Sequence, residues 1–109
     1  MDKRYTHYIV DLSNVSTLHE LHTAFGKAMN FPDWYGFNLD ALWDCLTDLY
    51  GDRIHIELIG FEAAMENLGE DTRGTLLELL HDLKHNCFDR YAEDIRIDLI
   101  DGEQSTEID

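Results

Sequence analysis

The chain has one proline, two cysteines, and eight basic residues set against 23 acidic ones. Two thiols, Cys45 and Cys87, are too few for a disulfide scaffold, so reduced cysteines are the default expectation. The scarcity of Lys and Arg leaves a formal net charge of -15 over 109 residues, which argues against nucleic acid or an anionic membrane as partner. A basic partner is the natural complement. No window is apolar enough to span a bilayer, and the opening MDKRYTHYIVDL has neither a long apolar run nor a cleavage-site pattern. The expectation is a cytosolic protein. Internal repeats and Gly-rich phosphate loops are also missing. Acidity alone has a plain explanation, because acidic surfaces keep proteins soluble, so the pattern of the acids has to decide.

What is present is enough apolar content, 44%, for a single core. The reading is one domain over residues 1–100, followed by an acidic, flexible tail over 101–109. Tyr8 to Leu12 reads as a buried strand. A helix follows from about Thr17 to Met29, with Thr17 and Glu20 at capping-box spacing. Pro32 forces an irregular loop, and a second helix starts at Asn38. Gly51-Asp52 ends it. Ile54 to Ile59 alternates as a strand with both faces substantially covered, Phe61 to Leu68 suits a short helix, and Gly69 to Gly74 is a loop. Leu76, Leu77, Leu79, Leu80 and Leu83 mark a helix ending near Asn86, and Ile95 to Ile100 forms the last strand. The order β-α-α-β-α-α-β implies a three-stranded parallel sheet packed with about four helices, an α/β class with right-handed crossovers.

The stretch from Asn30 to Tyr50, NFPDWYGFNLDALWDCLTDLY, carries the functional signal. Asn38 is a natural N-cap, and Leu39, Leu42, Trp43, Leu46, Leu49 and Tyr50 recur at helical spacing. At about 100° per residue, Asp40, Asp44, Thr47 and Asp48 gather on a separate arc roughly 130° from the apolar stripe. Trp43 falls at the border, half packed and half available. Trp34 and Tyr35 follow Pro32 in the loop; one is expected to fold onto the core and the other to remain open for stacking.

The run Tyr35-Gly36-Phe37-Asn38-Leu39-Asp40-Ala41-Leu42-Trp43-Asp44-Cys45-Leu46-Thr47 resembles the signature of the barstar family, with Phe37 alone out of place. Pro32-Asp33-Trp34 fits the family's order of Pro, acid and aromatic. A looser likeness extends through Leu21-His22, Phe61-Glu62 and Leu76 to Lys84. The resemblance implies a small intracellular inhibitor that blocks the active site of a basic ribonuclease, 1:1, and is a monomer when free. It further implies that Asp44 is the deepest phosphate mimic, with Asp40 beside it, Trp34 stacking on an enzyme histidine, and Tyr35, Gly36, Asn38, Leu39, Trp43 and Thr47 completing the patch. Asp82 matches a further family acid. Asn86 stands where the next one would be, and Phe37 where a Glu can occur, so the rim differs and suggests a different cognate ribonuclease, such as a toxin domain of an interbacterial competition system.

Other classes fit less well. Asp40 and Asp44 lie one helical turn apart, about 5–6 Å between Cβ atoms, yet two carboxylates on one surface helix cannot flank a scissile bond; no catalytic residue is expected. A solvated helix face is favourable for Asp40 near the N-terminal dipole but not for Asp44 and Asp48. His81-Asp82-Leu83-Lys84-His85 has the i, i+4 histidines of a zinc helix but no convincing third ligand, and His19 and His22 read as first-helix surface. No metal or cofactor is expected. The competing function is a general acidic module that binds basic proteins by distributed charge, as a nucleic-acid mimic.

Overall fold

A computed structural model of the chain describes residues 5–49, 53–85 and 95–108. Strand β1 (Tyr5–Asp11) leads into helix α1 (Leu18–Met29), then α2 (Leu39–Thr47), strand β2 (Arg53–Ile59), helices α3 (Phe61–Leu68) and α4 (Glu70–His85), and strands β3 (Ile95–Asp101) and β4 (Gln104–Glu107). The chain is α/β, as its pattern predicts. Strand order follows chain order, β1-β2-β3-β4, with the first three parallel. Two successive crossovers of the same right hand, both moving in one direction across a sheet, place their helices on the same face.

Burial reflects that topology. Along β2, Ile54, Ile56 and Leu58 are buried while Arg53, His55, Glu57 and Ile59 are only partly so. Parallel register aligns Tyr8, Val10, Ile97 and Leu99 with the buried row. The core forms between this row and Leu21, Phe25, Leu42, Leu46, Phe61, Leu76, Leu80 and Leu83 from the helices. The expectation that both faces of the sheet are covered is therefore corrected: one face is packed by helices and the other carries polar side chains.

The strand count also changes, from three to four. Asp101 and Gln104 pair across a two-residue turn in which Gly102 has φ +65°, the positive φ that primed hairpin turns require at this position. Residues 104–107, assigned from sequence to a flexible tail, instead pair antiparallel with β3. Lys84 Nζ holds the end of β4 by donating to the Ile108 carbonyl at 2.7 Å, with Glu107 3.6 Å away. The loop expected over Gly69 to Gly74 is likewise mostly helix, since α4 begins at Glu70. Glu70 and Asp71 suit its first turn electrostatically, and Arg73 clamps Glu62 of α3 with two bonds of 2.8 and 3.0 Å.

Thr17 and Glu20 form the complete capping box at α1, and Asn30 in the left-handed region ends that helix. Expectations that concern Tyr50, Gly51, Asp52, Asn86 and Cys87 lie outside the described residues. No helix among the described residues is long and apolar enough to cross a membrane.

Gly60, between β2 and α3, has φ +73°, and a Cβ there would stand 2.9 Å from Ser13 Cα. Gly60→Ala should therefore lower unfolding free energy by more than about 1 kcal/mol, through left-handed strain and the backbone clash. Gly74, inside α4 with nothing within 4 Å of such a Cβ, should respond oppositely, Gly74→Ala raising stability by about 0.5–1 kcal/mol. Urea denaturation of both variants measures the contrast.

Candidate functional site: an acidic helix and its leading loop

The chain makes α2 start where it does through Asn38. Its Oδ1 accepts the Ala41 N–H at 2.8 Å, while its Nδ2 donates to the Gly36 carbonyl at 3.1 Å. One side chain thus closes the helix end and holds the preceding loop against it. Gly36 fits tightly there, because a Cβ would lie 3.3 Å from Asn38 Nδ2 and 3.4 Å from Ala41 Cβ. Asn38 consequently serves the loop and helix geometry with both ends of its amide.

The two loop aromatics divide as expected, one inward and one outward. Tyr35 is buried, its ring lying 5.0 Å from Phe31 and 5.3 Å from Phe37, and its hydroxyl hydrogen-bonds to His22 Nδ1 on α1. Trp34 points outward and is 78% exposed. Tyr35 therefore anchors the loop rather than presenting its ring, whereas Trp34 offers a stacking surface.

Phe37 is the residue whose role the sequence reading leaves undefined. It takes φ +51°, a region costly for a bulky side chain. It is nonetheless 42% exposed, against His19 at 5.0 Å and Tyr35. Beside it opens a depression of about 290 Å³ bordered by Leu18, His22, Leu39 and Thr75. A side chain strained into this place gives the rim an apolar edge; the departure from the family pattern was visible, its backbone strain was not.

On α2, Leu42, Cys45 and Leu46 face the core, Leu39 and Trp43 are half-buried, and Asp40, Asp44 and Asp48 face solvent. Thr47 Oγ1 turns back to the helix, donating to the carbonyls of Trp43 (2.9 Å) and Asp44 (3.0 Å). The last turn carries no basic residue, so nothing within the helix offsets Asp44 and Asp48 at the negative dipole end. Burial pushes the Cys45 thiol pKa up, and the Asp48 and Asp44 carboxylates add to that shift; the group stays a neutral thiol.

Asp82 joins the site from α4. A groove of about 330 Å³ runs between α2 and α4, bordered by Asp40, Trp43, Leu39, Leu79, Glu78 and Asp82. Glu78 is a residue that sequence reading missed. Its position one turn before Asp82 on the same helix was the available signal. Asp44 does not border this groove and faces outward. His81 and His85, also on α4, stand with ring centroids 4.4 Å apart in its last turn.

The loop anchor responds to pH. Burial, and secondarily the neighbouring His19, lower the His22 pKa below its ordinary 6.5, so the folded state prefers the neutral imidazole. Stability from this preference is complete above pH 6.5 and declines as pH falls from there toward the lower folded-state value. His22→Gln should flatten that part of the profile, so denaturant midpoints at pH 7.5 and 5.0 should differ less in the variant than in the parent protein.

Comparison with known proteins gives the geometry a context. The family model described as "Barstar (barnase inhibitor)" matches residues 5–100. A Bacillus subtilis (strain 168) protein named "Putative ribonuclease inhibitor YrdF" is 35% identical over 79 residues, covering 70% of this chain and 87% of that protein.

Proposed function

The chain belongs to the barstar family, and on that premise we propose that it is a cytosolic inhibitor that occupies the active site of a small basic ribonuclease, one molecule per enzyme. The observation that carries this reading is the gathering of like charge on two neighbouring helices, of which only Asp40, in the first turn of α2, is favoured by its helix dipole. Asp40, Glu78 and Asp82 border one groove from two helices, and Asp44 and Asp48 continue the acidic face of α2. Neighbouring carboxylates one turn apart repel, and no basic side chain in the last turn of α2 relieves them. Such an arrangement becomes favourable when a cationic surface covers it.

A ribonuclease active site holds the scissile phosphate with Arg, Lys and His. Carboxylates placed where phosphates would lie accept charge-assisted hydrogen bonds from the same groups. In this mechanism Asp44 is the deepest mimic with Asp40 beside it, Asp82 adds an outer acid from α4, and Trp34 stacks on an enzyme ring or guanidinium. Gly36 and Leu39 let the enzyme surface approach, Trp43 closes the side of the groove, and Thr47 supports the helix turn beneath the acids. Tyr35 and Asn38 act by fixing the loop, so that Trp34 and the carboxylates meet the enzyme already oriented. Phe37, with Leu18 nearby, supplies an apolar rim that selects a cognate enzyme with a matching apolar edge. Such an enzyme fits the toxin domain of a bacterial competition system, for which this chain would be the immunity protein. No step of this reading makes the chain an enzyme.

The alternative, a general acidic module, predicts that all acids contribute alike through long-range attraction. The Asp44 variant separates the two. Asp44→Ala should raise the dissociation rate from the cognate ribonuclease, costing about 2–5 kcal/mol because the enzyme's cations are left buried without a partner. The same change should leave the free protein as stable as before, or more stable by about 0.2–0.5 kcal/mol, as repulsion is relieved. Glu66→Gln, on the exposed side of α3, should alter only association, and only at low salt. Stopped-flow kinetics and denaturation test both. Equal, salt-sensitive losses in the two variants would favour the acidic module.

A further inference from the structure

The face of the sheet that carries none of the described helices holds a group of side chains that the inhibitory mechanism does not use. His7 of β1 and His55 of β2 occupy paired register positions, and their rings stack with centroids 4.6 Å apart and planes 7° from parallel. Glu57, two residues along β2 and so on the same face, hydrogen-bonds His7 Nε2. One ligand atom from each of His7, His55 and Glu57 lies within 4.8 Å of the others. Behind them Asp98 of β3, whose side chain is only 6% exposed, accepts a bond from His55 Nε2 at 2.7 Å and from Arg96 Nε at 3.1 Å.

From this geometry we propose that His7, His55 and Glu57 form a binding site for a divalent transition-metal ion of the zinc type, with Asp98 orienting His55. Two imidazoles and one carboxylate suit zinc and its neighbours and not magnesium or calcium, which take oxygen ligands. A buried carboxylate hydrogen-bonded to a ligating histidine is the usual support for such a site. Zinc to ligand distances of about 2.0–2.2 Å require the three ligand atoms to close in together. Partly exposed side chains on the face opposite the described helices can do so by rotation without moving the core. The ion would join β1 to β2 on the side of the sheet away from α2, leaving the acidic helix open to its partner. A coordination position left to water is consistent with three protein ligands.

Sequence reading sought ligands within one helix, at His81 and His85, and expected no metal. The present group is assembled across strands distant in the chain, so no spacing motif announces it.

The test is titration of the tag-free, metal-stripped full chain with Zn²⁺ against a competing chelating dye, together with thermal unfolding with and without Zn²⁺. One equivalent should bind, with a rise in unfolding temperature. His7→Ala and Glu57→Gln, both at partly exposed positions and each checked for folding by circular dichroism, should each weaken binding by at least about tenfold and abolish the thermal shift. His81→Ala with His85→Ala should change neither. Absence of saturable binding would overturn the proposal. So would binding that survives His7→Ala and Glu57→Gln, or that is lost with the α4 pair or on thiol alkylation.

Discussion

The structure depends on one constraint: two crossovers taken in succession, in the same direction, across a parallel sheet, connections that are right-handed as a rule. They leave the helices no choice of side. With α1 through α4 on a single face, the strands bury alternate residues rather than whole runs, which is why β2 reads as alternation and why Ile54, Ile56 and Leu58 carry the central layer. The opposite face is then available for histidines and charges that a doubly covered sheet would exclude. The helices, crowded together, must also pack against one another, and α2 lies against α4. The groove between those two helices is therefore a product of the topology, and its acids are a product of the sequence.

Within that frame, the loop before α2 is held by few but well-placed bonds. Asn38 ties the helix start to Gly36, and Tyr35 reaches across to His22 on α1. Trp34, standing between Pro32 and the buried Tyr35, is left outside by its neighbours' commitments. Phe37 completes the turn at a positive φ despite its bulk, leaning on His19 and Tyr35. Ring contacts with α1 offset the backbone cost. Order in the loop is thus inherited from three residues: Asn38 at the helix start, the buried Tyr35, and Phe37 against the rings of His19 and Tyr35.

Much of this was legible beforehand because local physics expresses it. The Thr17 and Glu20 capping box, the Asn38 cap, the apolar stripe of α2 and the boundaries of α3 all follow from periodicity and side-chain chemistry that act within a few residues. The division between Trp34 and Tyr35 was legible as a choice, though not which way it fell. What escaped were features fixed at a distance. The hairpin at Gly102 joins residues whose composition, acidic and polar, reads as tail; its partner strand and the Lys84 bond supply what composition lacks. The first turn of α4 was hidden because Gly69 and Gly74 bracket it, and glycine lowers helix propensity without forbidding it. Glu78 was missed because its neighbour in the site, Asp40, lies on another helix. The open sheet face was missed because burial depends on which side the crossovers take, and a single strand's alternation does not reveal that.

The reliance of α2 on α4 has a meaning for synthesis. Chain elongation delivers α2 well before α4, at about 5–20 residues per second. A nine-residue helix is too short to hold itself in water. Until α4 has emerged, the acidic segment has its sequence but no wall to lie against, and its carboxylates have no fixed spacing. A nascent or C-terminally shortened chain would therefore be charged yet incompetent, and the binding surface matures late, with the last third of translation.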